Sequence, residues 1–74
     1  MQLIINGEGR DFEGPLTLAS LVERLGMKPD RVAVELNRAI VPRENWTHTE
    51  LASGDRLELV HFVGGGSDSI SALG

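Results

Sequence analysis

The chain contains no cysteine, which excludes disulfides, thiolate metal sites and a cysteine nucleophile. Its histidines number two, His48 and His61, so a metal site would be short of nitrogen ligands as well. Excess positive charge is also missing. The formal net charge is −4, whereas a nucleic-acid binder needs a basic face to displace counterions. No apolar run approaches the roughly 20 residues that span a bilayer. The opening Met1-Gln2-Leu3-Ile4-Ile5-Asn6 lacks the basic start and small-residue cleavage site of a signal peptide. The resulting expectations are no bound metal, no nucleic-acid partner, no membrane partner and a cytoplasmic location.

What is present is the balance of an ordinary globule, 41% apolar and 24% charged, in 74 residues that make one domain at most. A chain this short buries a modest share of its surface, so a small stability margin is expected.

Catalytic constellations are not evident. Gly64, Gly65 and Gly66 do not form a phosphate loop, because no Lys-Ser/Thr follows and no helix is expected there. His48 and His61 lack a nucleophile with a supporting acid and read as surface histidines. Asp30, Glu35, Glu44, Glu50, Asp55 and Glu58 are scattered, as on a solvated surface. An enzyme also needs a concave pocket, for which a domain of this size has little room.

Periodicity and turn chemistry supply the elements. Asn-Gly in "NGEG" lies between Leu3-Ile4-Ile5 and Arg10-Asp11-Phe12, a strong hairpin signal because both central positions of a type I′ turn need positive φ. Glu13-Gly14-Pro15 breaks the second strand. Thr17 is a good N-cap, and Leu18, Leu21, Val22 and Leu25 make one apolar stripe of a helix of about two and a half turns. Gly26 stands where a left-handed residue ends the helix, and Pro29 is expected to prevent a restart. So short a helix is unstable alone, and its stripe must cover a sheet.

Val32, Val34 and Leu36 alternate along the next strand. Asn37-Arg38 reads as a turn, with Ala39-Ile40-Val41 as a short returning strand. Residues 42–50 read as irregular and polar, with Trp46 expected to cap the edge of the core. Ser53-Gly54-Asp55 signals a turn before the last strand, residues 57–62. There Leu57 and Leu59 should face the core, while Val60 and Phe62 have the opposite parity. An exposed apolar pair beside the tail suggests a docking surface for a partner. Arg56 reads equally as a contact to an acidic partner rim or as a solvated strand residue.

The expected fold is therefore α+β, in the order ββαββ–β. It is a mixed sheet of about five strands with one main helix packed on one face. The expected division is a folded domain over residues 1–63 and a flexible glycine tail with an extension over residues 64–74. Two readings of the tail stay open. Glycine removes every side chain, which lets a segment enter a narrow channel and leaves little bulk beside a glycyl carboxylate to be activated. On composition alone, a flexible linker is the simpler reading.

Five stretches carry a resemblance: "INGEGR", "TLASLVERLG", "VAVELNRAIVPRENW", "LASGDRLELV" and "HFVGGG". Together, over residues 1–66, they resemble the ThiS family of thiamin-pathway sulfur carriers, with residues 32–46 and the ending the most specific. The resemblance implies a β-grasp, ubiquitin-like fold and a role as protein co-substrate rather than enzyme. It implies that Gly66 bears a carboxylate that is adenylated and then becomes a thiocarboxylate, with Gly64 and Gly65 as its flexible arm. Implied partners are a ThiF-type adenylating enzyme that uses ATP and Mg²⁺, a sulfur donor of the cysteine desulfurase system, and a ThiG-type thiazole synthase. No cofactor is expected on the domain itself. Residues 67–74 depart from the family pattern, whose members finish at the glycines. The alternatives are a sulfur carrier for molybdopterin synthesis or tRNA thiolation, and a ubiquitin-like interaction module that conjugates nothing.

Overall fold

Asn6 and Gly7 adopt φ of 50° and 84°, the pair of left-handed conformations that a type I′ turn requires. The chain reverses there in two residues, so β1 (Gln2–Ile5) pairs antiparallel with β2 (Glu8–Asp11), as the Asn-Gly signal indicates. In the computed structural model, which describes residues 1–62 and 70–72, this hairpin is one side of a mixed sheet. The sheet continues through β3 (Val32–Leu36), β4 (Ala39–Ile40) and β5 (Arg56–Phe62) in the spatial order β2-β1-β5-β3-β4. β1 runs parallel to β5, and β3 runs antiparallel to both β4 and β5. The order ββαββ–β stands as expected. A further short strand, β6 (Ile70–Ala72), pairs antiparallel with β5 and was not foreseen from the sequence.

The helix α1 (Leu18–Arg24) begins where its cap predicts, since the Thr17 hydroxyl accepts a hydrogen bond from the Ser20 N–H at 3.1 Å. Its end is equally well determined. Gly26 takes φ 76°, its N–H donates to the Glu23 carbonyl, and the Met27 N–H donates to the Val22 carbonyl. That is a Schellman closure, which satisfies carbonyls the helix leaves open. Leu18, Leu21 and Val22 are fully buried and join Leu3, Val34, Leu57 and Leu59 in one core. No polar or charged residue is buried among the described residues.

Two local expectations need correction. Pro29 does not bar further helix but heads a 3₁₀ turn, Pro29–Arg31, because its fixed φ suits a first helical position. Residues 42–50 are not irregular throughout. A 3₁₀ segment, Arg43–His48, packs beside α1 and carries Trp46 into the core at 3% exposure, where the indole N–H donates to the Val41 carbonyl at 2.9 Å. A tryptophan with its N–H satisfied can bury fully, so Trp46 is a core member and not only an edge cap.

Candidate functional site

Alternation along β5 divides its side chains as the parity argument requires. Leu57 and Leu59 point into the core at 2% and 1% exposure, and Glu58, Val60 and Phe62 lie on the open face of the sheet. Val60 is half-buried, and Phe62 is 37% exposed. Two neighbours complete an apolar patch. Ala33 lies opposite Val60, and Ile40, 74% exposed, lies opposite the outward-facing Glu35. Beside the patch runs a shallow depression lined by Ile40, Val41, Pro42, Trp46 and Phe62. Ile40 is the member that sequence reasoning missed. Its face depends on the β3–β4 register, which alternation within a two-residue strand does not reveal.

The patch has an acidic margin. Glu35 and Glu58 lie directly opposite each other across β3 and β5, and both are exposed. Like charges in that position repel. Arg38 and Arg56 line the same shallow depression as the two carboxylates, so the local charge is partly balanced. Arg56 thus stands on the open face at the start of β5.

Two asparagines set the backbone of β5. β1 covers one edge through the Ile4 N–H, which donates to the Asp55 carbonyl, and the Asn6 N–H, which donates to the Leu57 carbonyl, each at 2.9 Å. β1 then turns away, and the Asn6 side chain takes the place of the next backbone unit. Its Oδ1 accepts from the Leu59 N–H at 2.8 Å, and its Nδ2 donates to the Leu59 carbonyl at 3.4 Å. On the other edge Asn37 does the same for Arg56. Its Oδ1 accepts from the Arg56 N–H at 3.0 Å, and its own N–H donates to the Arg56 carbonyl at 2.8 Å. Both asparagines have φ 50°, a conformation that Asn tolerates better than most residues. Asp55, read from the sequence as one of several solvated acids, has a structural role. One of its oxygens accepts from the Ala52 N–H at 2.8 Å and the other from Asn37 Nδ2 at 3.1 Å.

β5 therefore has a firmly held start, and in the sequence Val63 alone separates its end from the glycines. Gly64, Gly65 and Gly66 lie outside the described residues, as does the expected boundary at residue 63. Of the histidines, His48 is exposed and His61 is half-buried on β5. Among the described residues no group of three His, Asp or Glu side chains gathers to hold a metal ion. No helix among them is long and apolar enough to cross a membrane.

Comparison with known proteins places the chain. Residues 3–66 match the ThiS family. The sulfur carrier protein ThiS of Escherichia coli is 30% identical over 66 residues, which is 89% of this chain and the whole of that protein. A crystal structure of the thiamine biosynthesis protein ThiS from Geobacter metallireducens superimposes with a TM-score of 0.76 at 33% identity, covering 89% of this chain and all of that one. A thiazole synthase from Paramagnetospirillum magneticum is 46% identical over 73 residues, or 99% of this chain. A second, from Magnetococcus marinus, is 41% identical over the full chain. The chain spans only 22% and 24% of the length of these two synthases. Both similarities run past Gly66, so residues 67–74 have counterparts in those proteins.

Proposed function

The chain belongs to the ThiS family and has its β-grasp fold, and from that premise we propose that it is a sulfur carrier for thiamin biosynthesis, a protein co-substrate and not itself an enzyme. The observation that carries this reading is where the family match stops. It ends at Gly66, the last of three glycines that follow the central strand of the sheet.

In this reading the working group is the Gly66 α-carboxylate. Within the 74-residue chain Gly66 is in amide linkage to Ser67. Hydrolysis therefore comes first: the C–N bond breaks, water supplies oxygen to the Gly66 carbonyl carbon, and Ser67 becomes a free amine. A carboxylate oxygen then attacks the α-phosphorus of ATP, held with Mg²⁺ by a ThiF-type adenylating enzyme, and pyrophosphate leaves. The acyl adenylate has AMP as a good leaving group in place of a poor one. The terminal sulfur of a persulfide, supplied by a cysteine desulfurase system, displaces AMP to give an acyl disulfide. A thiol reductant then cleaves the S–S bond, leaving the glycyl thiocarboxylate and a new disulfide on the donor side. Glycine suits this chemistry because no Cβ crowds the acyl carbon, and Gly64 and Gly65 keep the approach equally narrow. In this reading the reaction takes place in the cytoplasm.

Val60, Phe62 and Ile40 form the surface we assign to partner docking, with Glu35 and Glu58 at its margin suited to a basic rim. The similarity to two proteins named thiazole synthase supports a thiazole synthase as sulfur acceptor, in preference to a molybdopterin or tRNA-thiolation system.

The test is a chain ending at Gly66, incubated with ATP, Mg²⁺, the adenylating enzyme and a sulfur source, and weighed intact. The expected product has one oxygen exchanged for sulfur. An unchanged mass, under conditions that convert a known carrier, would leave the non-conjugating module as the better reading.

A further inference from the structure

The edge of β5 that faces β1 is filled in three successive ways. Backbone groups of β1 cover it as far as Leu57, the Asn6 carboxamide covers Leu59, and β6 covers the rest. By alternation, the N–H and C=O of His61 point to the same edge as those of Leu57 and Leu59. Ser71 lies directly opposite His61, with Ala72 opposite Val60 and Ile70 opposite Phe62. These pairs are symmetric about position 66. Residues 70–72, which follow Gly66 in the sequence, thus pair with the strand that precedes it.

We infer that β6 is a latch in cis: pairing of Ile70–Ala72 with β5 keeps the uncleaved chain from presenting Gly66 as a single extended arm, and hydrolysis after Gly66 releases it. The inference rests on the carrier reading for its purpose, but its physical content is independent of that reading. The paired residues 60–62 and 70–72 stand on either side of Gly66 in the sequence. A channel that admits one strand of glycine does not admit a chain that must go in and come back.

The latch is also self-releasing. A strand of three residues offers few hydrogen bonds, too few to offset the translational and rotational cost of binding as a separate peptide. While it is tethered through a short connection, its effective concentration at the edge is on the order of millimolar or above, and pairing holds. Cutting the Gly66–Ser67 bond removes that advantage without altering any contact. Among the described residues every buried core residue lies at or before Leu59, so the cut leaves that core in place.

Backbone amide hydrogen exchange tests this in the full chain, in its Ser71→Pro variant and in the chain ending at Gly66. Proline at position 71 removes the N–H that faces His61 and opposes a strand interior. The His61 amide is expected to be protected in the full chain and to exchange on the order of tenfold faster in the other two. The Leu59 amide, held by Asn6, should be unchanged in all three. Equal His61 exchange in all three overturns the latch. A synthetic peptide of residues 67–74, added at about 1 mM to the shortened chain, is expected not to restore protection. Restoration would overturn the release step. None of these measurements uses ATP or an adenylating enzyme. Failure of the shortened chain to form a thiocarboxylate therefore counts against the carrier reading alone, and uniform His61 exchange counts against the latch alone.

Discussion

The two ends of β5 are held in opposite ways. Its first half, around Leu57 and Leu59, is clamped by an asparagine on each edge and anchored by leucines in the core. Its second half carries Val60 and Phe62 on an open face, and its β1-side edge is completed by three residues from the tail. One strand is thus both a foundation and the root of a detachable arm. The difference lies in which interactions are lost when the tail goes. Among the described residues, neither the asparagine clamps nor the buried core includes a residue after Leu59, so freeing the arm leaves both in place.

The two ends of β5 should differ most in what truncation of a side chain costs. Leu59→Ala should lower unfolding free energy by about 3 kcal/mol in urea titrations, from lost burial and the cavity left behind. Phe62→Ala should change it by no more than about 0.5 kcal/mol, as surface substitutions do. Similar values for the two would show that β5 is not divided as described.

Next in size is the clamp. Asn6→Ala leaves the Leu59 N–H and carbonyl without partners and should cost about 2 kcal/mol, with faster exchange at the Leu59 amide. Asn6→Asp keeps the acceptor for the N–H and should lose distinctly less. If the two variants are equally destabilised, the carboxamide oxygen is not what holds Leu59.

The open face should respond in function and not in stability. Replacing both Ile40 and Phe62 by Ser should raise the adenylating enzyme's KM for the carrier by about tenfold, through loss of apolar contact area. Thermal unfolding should be nearly unmoved. A large drop in Tm with an unchanged KM would reassign the patch to structure.

The smallest expected effect concerns Arg38, which holds φ 74° in the turn after β3. Glycine adopts that conformation without a Cβ penalty, so Arg38→Gly should stabilise the chain by roughly 0.5 kcal/mol. A destabilised variant would mean that the Arg38 side chain, beside Glu35 and Glu58, contributes more than its backbone costs.

Much of the fold was legible because it is written in local signals. The Asn6-Gly7 turn, the stripe of Leu18, Leu21 and Val22 between Thr17 and Gly26, and the parity of β5 each need only a few consecutive residues. Of the candidate site, Val60 and Phe62 could be placed on the open face by alternation. Ile40 could not, because a two-residue strand has no period to read and its face comes from pairing with Glu35. The role of Asn6 was equally out of reach, since its side-chain partner Leu59 is 53 positions away. Pro29 and Trp46 were misjudged for a related reason. A proline can begin a helical turn as well as end one, and how deeply a tryptophan buries depends on what packs around it.

The order of elements, their turns and caps, the inward and outward faces of β5 and the resemblance to the ThiS family can all be read from runs of neighbouring residues. Tertiary structure alone decided which groups complete the edges of β5: a carboxamide from the first hairpin, another from the turn after β3, and a strand from beyond the glycines. The physical reason is that φ preference and hydrophobic period are properties of short segments, whereas backbone hydrogen bonds must be satisfied across the whole chain.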